Sequence, residues 1–223
     1  MYVLAFDTTA SACSIALYNN DKQLSCYSKI MDYGQSEVLL PEIQKMLSDN
    51  NINFSDIQVL FVCVGPGSFT GVRSSVSAAR TFQLACPDLN LGGISAFEAY
   101  AQSFLPEDIA DINAVIIETK RDDFYVQFFN NKLQKIRAPQ ALTRDDIIAQ
   151  IKGKKVSLLG DGVERFLSVP SGLTLHSIKM PSHLDIDMLV QAGLKQYYDK
   201  CLDYPKPLYL RAPDVSSPKA NQN

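Results

Sequence analysis

The order in which hydrophobic patterns follow one another constrains the fold of this chain more than any single motif. Three short β-rich runs at 2–7, 13–19 and 23–30 are separated by polar turns and predict an antiparallel meander. The apolar residues of 35–47 then recur at the three- and four-residue spacing of one helical face. A nearly unbroken apolar run at 57–64 predicts a strand buried on both faces. The pattern therefore predicts the order β-β-β-α-β.

The same order returns in the second half. Runs at 113–118, 124–129 and 132–137 predict three more strands, 143–151 predicts a helix, and 155–159 predicts a strand before a turn. No residue identity marks a sequence repeat. Taken twice, however, β-β-β-α-β is the order of the actin-like (ASKHA, ribonuclease-H-like) α/β fold with two lobes. We predict that fold.

The pattern also predicts the division of the chain. The first actin-like lobe is assigned to 1–104 and a second, smaller lobe to 105–182. An amphipathic helix over 185–198 belongs to a segment, 183–212, that we expect to pack back on the lobes. Residues 213–223 are polar and predict a flexible tail.

Composition indicates a cytoplasmic globular protein. Of 223 residues, 46% are apolar, which is enough for a core without disulfides or metal. Five cysteines form no CxxC pair, and Cys13, Cys63 and Cys86 stand among apolar or small residues, as reduced cysteines do. The start lacks a basic n-region and no apolar run approaches membrane-spanning length, so we expect neither secretion nor a membrane partner.

The net charge of −3 is unevenly distributed. Residues 1–110 carry 5 basic and 11 acidic groups, whereas residues 111–223 carry 16 and 13. Any contact with RNA phosphates should therefore come from the second half and be weak.

The stretch VCVGPGSFTGVR, at 62–73, joins the buried strand to a predicted helix. It lacks the Lys and Ser or Thr of a Walker-type loop, and its GxGxxxG spacing departs from the dinucleotide-binding pattern. We interpret it as a sharp corner that aims the helix, because proline fixes φ, glycine permits tight or positive-φ turns, and a hydroxyl at Ser68 or Thr70 can cap the helix. The residues assigned to this corner are Gly65, Pro66, Gly67, Ser68, Thr70 and Gly71.

The helix after this corner carries short side chains on nearly every face, as in SSVSAA at 74–79. Small residues let another helix approach closely. The sequence leaves open whether that neighbour lies within the chain or in a partner subunit.

The first turn, FDTTAS, has the place of the phosphate turn in sugar kinases, actin and Hsp70 relatives. Asp7 stands where those proteins have their metal-linked carboxylate, but Thr8 and Thr9 follow where a glycine is expected, and the matching hairpin offers Glu118 and no glycine. We therefore expect Asp7, Thr8 and Glu118 to lie near a weakly bound nucleotide at most, with no cofactor held tightly by this chain alone. The alternative is that Asp7 caps its own turn.

The two histidines, His176 and His183, form no HxxxH or HExxH pattern, and neither has a carboxylate neighbour in the sequence closer than Asp185. We expect no metal site and no histidine-activated serine or cysteine nucleophile.

Seven motifs in order, nearly end to end, carry a family resemblance. They are AFDTTASACSIALY, GQSEVLLPEI, GPGSFTGVR, LGGISAFEAYAQ, DDFYVQFF, GDGVERF and PLYLR. Together they resemble the landmarks of the bacterial TsaB (YeaZ) family, and GPGSFTGVR is the most specific of them.

The resemblance implies an actin-like, non-catalytic subunit that pairs with TsaD. TsaD transfers a threonylcarbamoyl group from threonylcarbamoyl-adenylate to N6 of adenosine 37 in tRNAs reading codons that begin with A. The resemblance further implies that the ATPase TsaE binds the pair and that tRNA is reached through the complex. It also implies a homodimer in isolation and ATP or ADP at the subunit interface.

In this family the subunit interface is formed by the helix after GPGSFTGVR, with the helix bearing SEVLLPEI nearby. Arg73 and Arg80 are seven residues apart, so they share a helical face and could pair with acidic groups or a nucleotide phosphate; the alternative is two solvated arginines. Helical spacing places the partner-facing residues at Val72, Arg73, Val76, Ala79, Arg80, Leu39 and Ile43.

The chain departs from the family at three positions. Gln35 stands where many relatives have a histidine, which weakens any latent metal site, and Glu118 and Asp122 stand where Asp and Gly are common.

Two enzyme hypotheses compete with the scaffold role. One is an ATP-dependent kinase-like protein that uses Asp7 and Glu118 as its two acids. The other is a peptidase, which needs a metal or a nucleophile dyad that the sequence lacks.

Overall fold

The computed structural model describes residues 1–169, 175–178 and 183–211, which form two five-stranded mixed sheets. The first sheet consists, in chain order, of β1 (Tyr2–Asp7), β2 (Ala12–Asn19), β3 (Lys22–Ile30), β4 (Ile57–Cys63) and β5 (Asn90–Ile94). The second consists of β6 (Ile112–Glu118), β7 (Asp123–Phe129), β8 (Gln140–Thr143), β9 (Val156–Leu159) and β10 (Leu175–Ser177).

In the part of the chain that the structure describes, six α-helices cover these sheets. They are α1 (Gln35–Asp49), α2 (Phe69–Ala85), α3 (Ala96–Ala101), α4 (Arg144–Ile151), α5 (Val163–Leu167) and α6 (Ile186–Tyr198). Within the described residues, none of the helices combines the length and the apolar character needed to cross a bilayer.

The two sheets share one topology. The strand order is β3-β2-β1-β4-β5 in the first and β8-β7-β6-β9-β10 in the second. In each sheet the first three strands are antiparallel and the last two join in parallel. The predicted actin-like two-lobed α/β fold is confirmed, because the repeated β-β-β-α-β order closes into two equivalent sheets.

Three apolar cores hold the layers together. Leu4 and Phe6 point to the outer face of the first sheet, where α1 and α2 pack, while Val3 and Ala5 point to the inner face. The inner core is continuous with Val115 and other residues of the second sheet, so it joins the lobes. A third core lies under α4 and α5. Strands β1 and β4 read as apolar runs because both of their faces are covered.

The C-terminal helix returns to the first lobe. Helix α6 packs on α3 and on β1, β2, β4 and β5, with Leu189 and Val190 buried in the core between the lobes. The predicted boundary at residues 104 and 105 stays a prediction; it falls in the connection between α3 and β6. The predicted flexible tail, 213–223, lies outside the described residues.

One predicted strand is in the wrong place. Residues 132–137 form no strand; only Lys135 makes an isolated bridge, to Phe129, and the third strand of the second sheet is β8. The segment KLQKIR has alternating apolar residues, but Asn130 and Leu133, the latter at φ +54°, form a turn instead. The strand that does pair with β7 begins only at Gln140, which lies opposite Val126.

The glycine-rich corner is built by close approach of backbones. Ser68 caps α2, since its Oγ accepts from the Gly71 amide at 3.3 Å, as predicted. The positive φ lies at Gly65 (+95°), not at Gly67 or Gly71. Gly67 and Gly71 are required because the turn after β1 lies directly against them.

The turn after β1 and the corner are also hydrogen-bonded. The Ser68 amide donates to the Thr9 carbonyl at 2.7 Å, and the Thr8 hydroxyl donates to the Gly71 carbonyl at 2.8 Å. The Thr8 hydroxyl also lies 2.6 Å from Ser75 Oγ on the second turn of α2. The corner therefore aims α2 by fastening its first two turns to β1.

We predict that Gly71→Ala destabilises the fold by about 2–3 kcal/mol, although alanine is the better helix former. A Cβ at residue 71 would stand 2.0 Å from the Thr8 carbonyl oxygen, so the turn or the helix has to move. The measurement is the free energy of unfolding in urea. Thr70→Ala, at the exposed neighbouring position, is the control and should change it by less than about 0.5 kcal/mol. Equal values for the two variants would contradict the close approach.

Candidate functional site

A cleft of about 910 Å³ lies between the lobes. Two equivalent hairpin turns face it, one between β1 and β2 and one between β6 and β7. Asp7 and Glu118 end the two equivalent strands β1 and β6, and both line the cleft, as does Asp161 after β9. This is where the actin-like topology brings the two predicted acids together.

The first turn is closed on itself. Asp7 is 5% exposed, and its Oδ1 accepts from the Thr9 amide at 2.7 Å. Burial raises the pKa of Asp7, and hydrogen bonds from Thr9 only partly oppose the rise. Asp7 thus caps its own turn, which is the alternative that the sequence left open. Thr8 is fully buried against α2 and does not line the cleft, so its prediction as a nucleotide-proximal residue is wrong.

The second turn is held by an arginine from α5. Arg165 Nε and Nη2 donate to the two carboxylate oxygens of Glu118 at 2.7 and 2.9 Å, and its guanidinium lies 3.8 Å from the centroid of the Phe124 ring. Partial burial acts to raise the pKa of Glu118, but the bonds from Arg165 and from the Lys120 amide outweigh it, so the pKa is lowered. Lys120 in this turn adopts a left-handed φ of +57°.

A third carboxylate completes the floor of the cleft. Asp161 Oδ1 accepts from the Glu118 amide at 2.9 Å. Burial, reinforced by the charge of Glu118 and opposed by backbone hydrogen bonds, raises the pKa of Asp161 to about 6. Near neutral pH the floor carries the carboxylates of Glu118 and Asp161 next to each other.

This floor suits a phosphate chain poorly. A phosphate cradle needs backbone amides that point at the ligand and glycines that let it approach. Here the amides of Thr8, Thr9 and Glu118 donate to Ser75, Asp7 and Asp161 within the chain. The carboxylates of Glu118 and Asp161 would also repel a triphosphate that brings no cation of its own.

The C-terminal segment 203–211, which we call the strap, crosses the mouth of the cleft. The Leu208 amide donates to the Val64 carbonyl at 2.8 Å, at the end of β4. Tyr209 packs on Phe69 with ring centroids 5.1 Å apart. Arg211 forms an ion pair with Asp123 of β7 at 2.6 Å. The strap thus contacts both lobes.

Most of the predicted partner-facing residues are wrong. Five of them lie on the inward faces of α1 and α2 and are at most 3% exposed, so they cannot contact another subunit. They are Val72, Val76, Ala79, Leu39 and Ile43. Their three- and four-residue spacing marks the face that packs on the sheet. Arg73 is exposed and stays a prediction. Arg80 is half-buried, and it donates to the Pro205 carbonyl of the strap.

The water-facing side of α2 is a different stripe. Phe69, Arg73, Ser77 and Leu84 are exposed, and Leu84 keeps 84% of its surface in water. Helix α2 carries two arginines and no acid, whereas the adjacent α1 carries three acids and one lysine. Leu40 on α1 is also 51% exposed. Two neighbouring helices therefore present opposite charges and uncovered leucines.

Sequence reasoning missed three residues of the site. Asp161 and Arg165 stand within GDGVERF, and Arg211 ends PLYLR, which are motifs used only as landmarks. The signal was present, because an acid two residues after β9, the strand equivalent to β4, lies at the cleft edge of the sheet by topology. Arg165 pairs with Glu118, which lies 47 residues away in the sequence, so no local pattern indicates this pair.

The histidines need one correction. His176 Nε2 lies 2.9 Å from Asp108 Oδ1, so a carboxylate is closer in space than the sequence indicated. Among the described residues, no serine or cysteine hydrogen-bonds to the His176 imidazole, and the side chains form no group of three or more potential metal ligands.

Comparison with known proteins gives consistent relationships. Residues 32–195 match the family model described as "TsaD: tRNA N6-adenosine threonylcarbamoyltransferase". The chain is 26% identical over 222 residues to the tRNA threonylcarbamoyladenosine biosynthesis protein TsaB of Escherichia coli K12, covering 95% of each chain. It is 27% identical over 157 residues to TsaB of Bacillus subtilis 168, covering 69% of this chain and 67% of that one.

A solved structure agrees in fold. YeaZ from Pseudomonas aeruginosa superposes with a TM-score of 0.74 at 21% sequence identity, covering 94% of this chain and 99% of that one.

We predict that Asp161 makes stability depend on pH in a defined direction. Its raised pKa means that the folded chain keeps a proton that the unfolded chain releases near pH 4, so its contribution to the free energy of unfolding falls as pH rises from about 4 to 6. Asp161→Asn removes this dependence. Urea unfolding at several pH values should show the variant gaining stability relative to the wild type over that range. Asp122→Asn, in the exposed turn nearby, is the control, and its free energy of unfolding should change with pH as that of the wild type does.

Proposed function

Because the chain belongs to the TsaB (YeaZ) family of tRNA threonylcarbamoyladenosine biosynthesis proteins, we propose that it is the non-catalytic partner and activator of a TsaD transferase. In this role it acts in the cytoplasm and makes or breaks no bond itself. TsaD, supported by this chain, forms N6-threonylcarbamoyladenosine at position 37 of tRNAs reading codons that begin with A.

The chemistry of the cleft is the observation that carries this proposal. The two turns that would hold phosphates in an actin-like ATPase are closed by their own chain: Asp7 accepts from Thr9, and Glu118 is bound by Arg165. A cleft whose amides are used internally and whose floor is acidic supports a structural role over phosphoryl transfer.

The exposed sides of α1 and α2 are the proposed docking face. An isologous two-fold contact places the same patch against itself, so basic α2 of one protomer can face acidic α1 of the other. Exposed Leu40 and Leu84 supply apolar area at that face. A TsaD subunit is related to this chain, since the TsaD family model matches it. One face can therefore serve a homodimer in isolation and a heterodimer with TsaD.

Arg73 is the residue proposed to contact the partner or a nucleotide at the interface. Its guanidinium lies 5.2 Å from the Phe69 ring centroid and is exposed, whereas Arg80 is already bound to Pro205. We propose that ATP or ADP, where one sits between subunits, uses Arg73. TsaE and tRNA are proposed to join through the complex.

The first experiment measures the solution mass by light scattering, for this chain alone and mixed with TsaD from the same organism. We expect a homodimer alone and a one-to-one complex in the mixture. Ser77→Arg places a long charged side chain in the exposed stripe of α2 and should weaken both assemblies at least about tenfold. The buried neighbour Val76 is unsuitable for this test, because its replacement would disrupt the core.

Ala149→Arg is the matched control. It introduces the same side chain on the exposed face of α4, in the other lobe, and should leave both masses unchanged. A mixture that stays uncomplexed with ATP and TsaE present, or a Ser77→Arg chain that assembles normally, would reject this docking face.

A second experiment separates the scaffold from an enzyme. The purified chain, incubated with tRNA and threonylcarbamoyl-adenylate, should form no modified adenosine until TsaD is added. Isothermal titration of the isolated chain with Mg-ATP should give no micromolar binding. Micromolar affinity that is lost in Asp7→Asn would instead support the kinase-like hypothesis, and modification without TsaD would overturn the scaffold role.

A further inference from the structure

The strap is fastened along the first lobe by its backbone. The Gly93 amide donates to the Asp203 carbonyl and the Leu208 amide to the Val64 carbonyl, both at 2.8 Å. Gly93 has no room for a side chain, because a Cβ there would stand 2.6 Å from Pro205 Cα. The strap therefore lies tightly across the ends of β4 and β5.

Side chains of α2 grip the strap at two points. Arg80 Nε and Nη2 donate to the Pro205 carbonyl at 3.1 and 2.7 Å, and the guanidinium lies 5.2 Å from the Tyr204 ring centroid. Eleven residues earlier on α2, Phe69 packs against Tyr209. The helix that carries the proposed docking face thus holds both halves of the strap.

The far end of the strap binds the second lobe. Arg211 Nη2 lies 2.6 Å from Asp123 Oδ2, and the Asp123 side chain is only 9% exposed. The Thr119 hydroxyl donates to the Asp123 carbonyl at 2.6 Å and lies 3.0 Å from the other carboxylate oxygen, so Asp123, the first residue of β7, is tied to the β6–β7 turn. A largely buried carboxylate depends more on its partner than a surface one does.

We propose that the strap is a serial link that couples the docking face of α2 to the opening of the cleft. Arg80 and Phe69 hold one side of the link and Asp123 the other, so release at either end removes the hold of the strap across the mouth of the cleft, while the shared core keeps the lobes joined. The consequence for partner binding rests on the proposed function: a subunit that packs on α2 changes the hold on the strap and hence the cleft. By linkage, a change that opens the cleft alters the affinity for that subunit by the same factor.

Two buried cysteines report on this link. Cys63 belongs to the core between the lobes, and its side chain lies next to Thr9 at the cleft. Cys13 belongs to the outer core beneath α1 and α2. Both are fully buried, so their alkylation by iodoacetamide, followed by peptide mass spectrometry, measures opening of each region in the full chain.

We expect Arg211→Gln and Arg80→Gln each to raise the alkylation rate of Cys63 at least about fivefold, with that of Cys13 unchanged. Lys206→Gln, an equal loss of charge at an exposed position of the strap, should leave both rates unchanged. Because a serial link is broken by either change, the double variant Arg80→Gln/Arg211→Gln should be no faster than the faster single variant. If the increases in the Cys63 alkylation rate of the two single variants multiply in the double variant, or if neither single variant changes that rate, the serial link is wrong.

Adding TsaD tests the coupling to partner binding. We expect saturating TsaD to change the Cys63 rate at least about threefold in the wild-type chain and not in Arg211→Gln. If light scattering shows a complex but the Cys63 rate responds equally in both chains, the coupling is wrong and the scaffold role stands. If no complex forms, the docking proposal fails, whereas the rates of the isolated chain still decide whether the link exists.

Discussion

The contact between the turn after β1 and the corner before α2 determines most of the arrangement described above. Gly67 and Gly71 let the backbone of that turn come within hydrogen-bonding distance, and Thr8 fills the space between the turn and α2. The same contact closes the turn to phosphate and directs α2 along the outer face of the sheet. This one contact therefore fixes both the closed shape of the turn and the course of α2 over the sheet.

The two lobes show how one topology accommodates different chemistry. In the first, the acid at the end of the central strand binds its own turn; in the second, the equivalent Glu118 is bound by Arg165 from a following helix. Both solutions satisfy a carboxylate without an external ligand. The pKa values reflect the difference, since burial raises the pKa of Asp7, whereas the bonds from Arg165 lower the pKa of Glu118. Both acids are thus held by groups of their own chain.

Much of the fold could be predicted from the sequence, because burial on one or two faces imposes a period. Strands β1 and β4 and helices α1 and α6 were recognisable from that period alone. The same signal misled the choice of interface residues: Val76 and Ile43 repeat at helical spacing because they pack on the sheet. Exposed Ser77 and Leu84 share a helical face too, but their spacing does not distinguish a partner-facing side from a solvated one. Pairings such as Arg211 with Asp123 join distant segments and leave no local pattern.

The return of α6 to the first lobe has a consequence for synthesis on the ribosome. The strands of the first sheet are complete by Ile94, but Leu189, Val190 and Ala192 of α6 cover their inner face only after nearly the whole second lobe has been translated. Until then a nascent chain carries an uncovered apolar sheet surface. Vectorial translation therefore cannot finish the first lobe early, and premature termination before α6 would yield a product with the exposed surface that chaperones and proteases recognise.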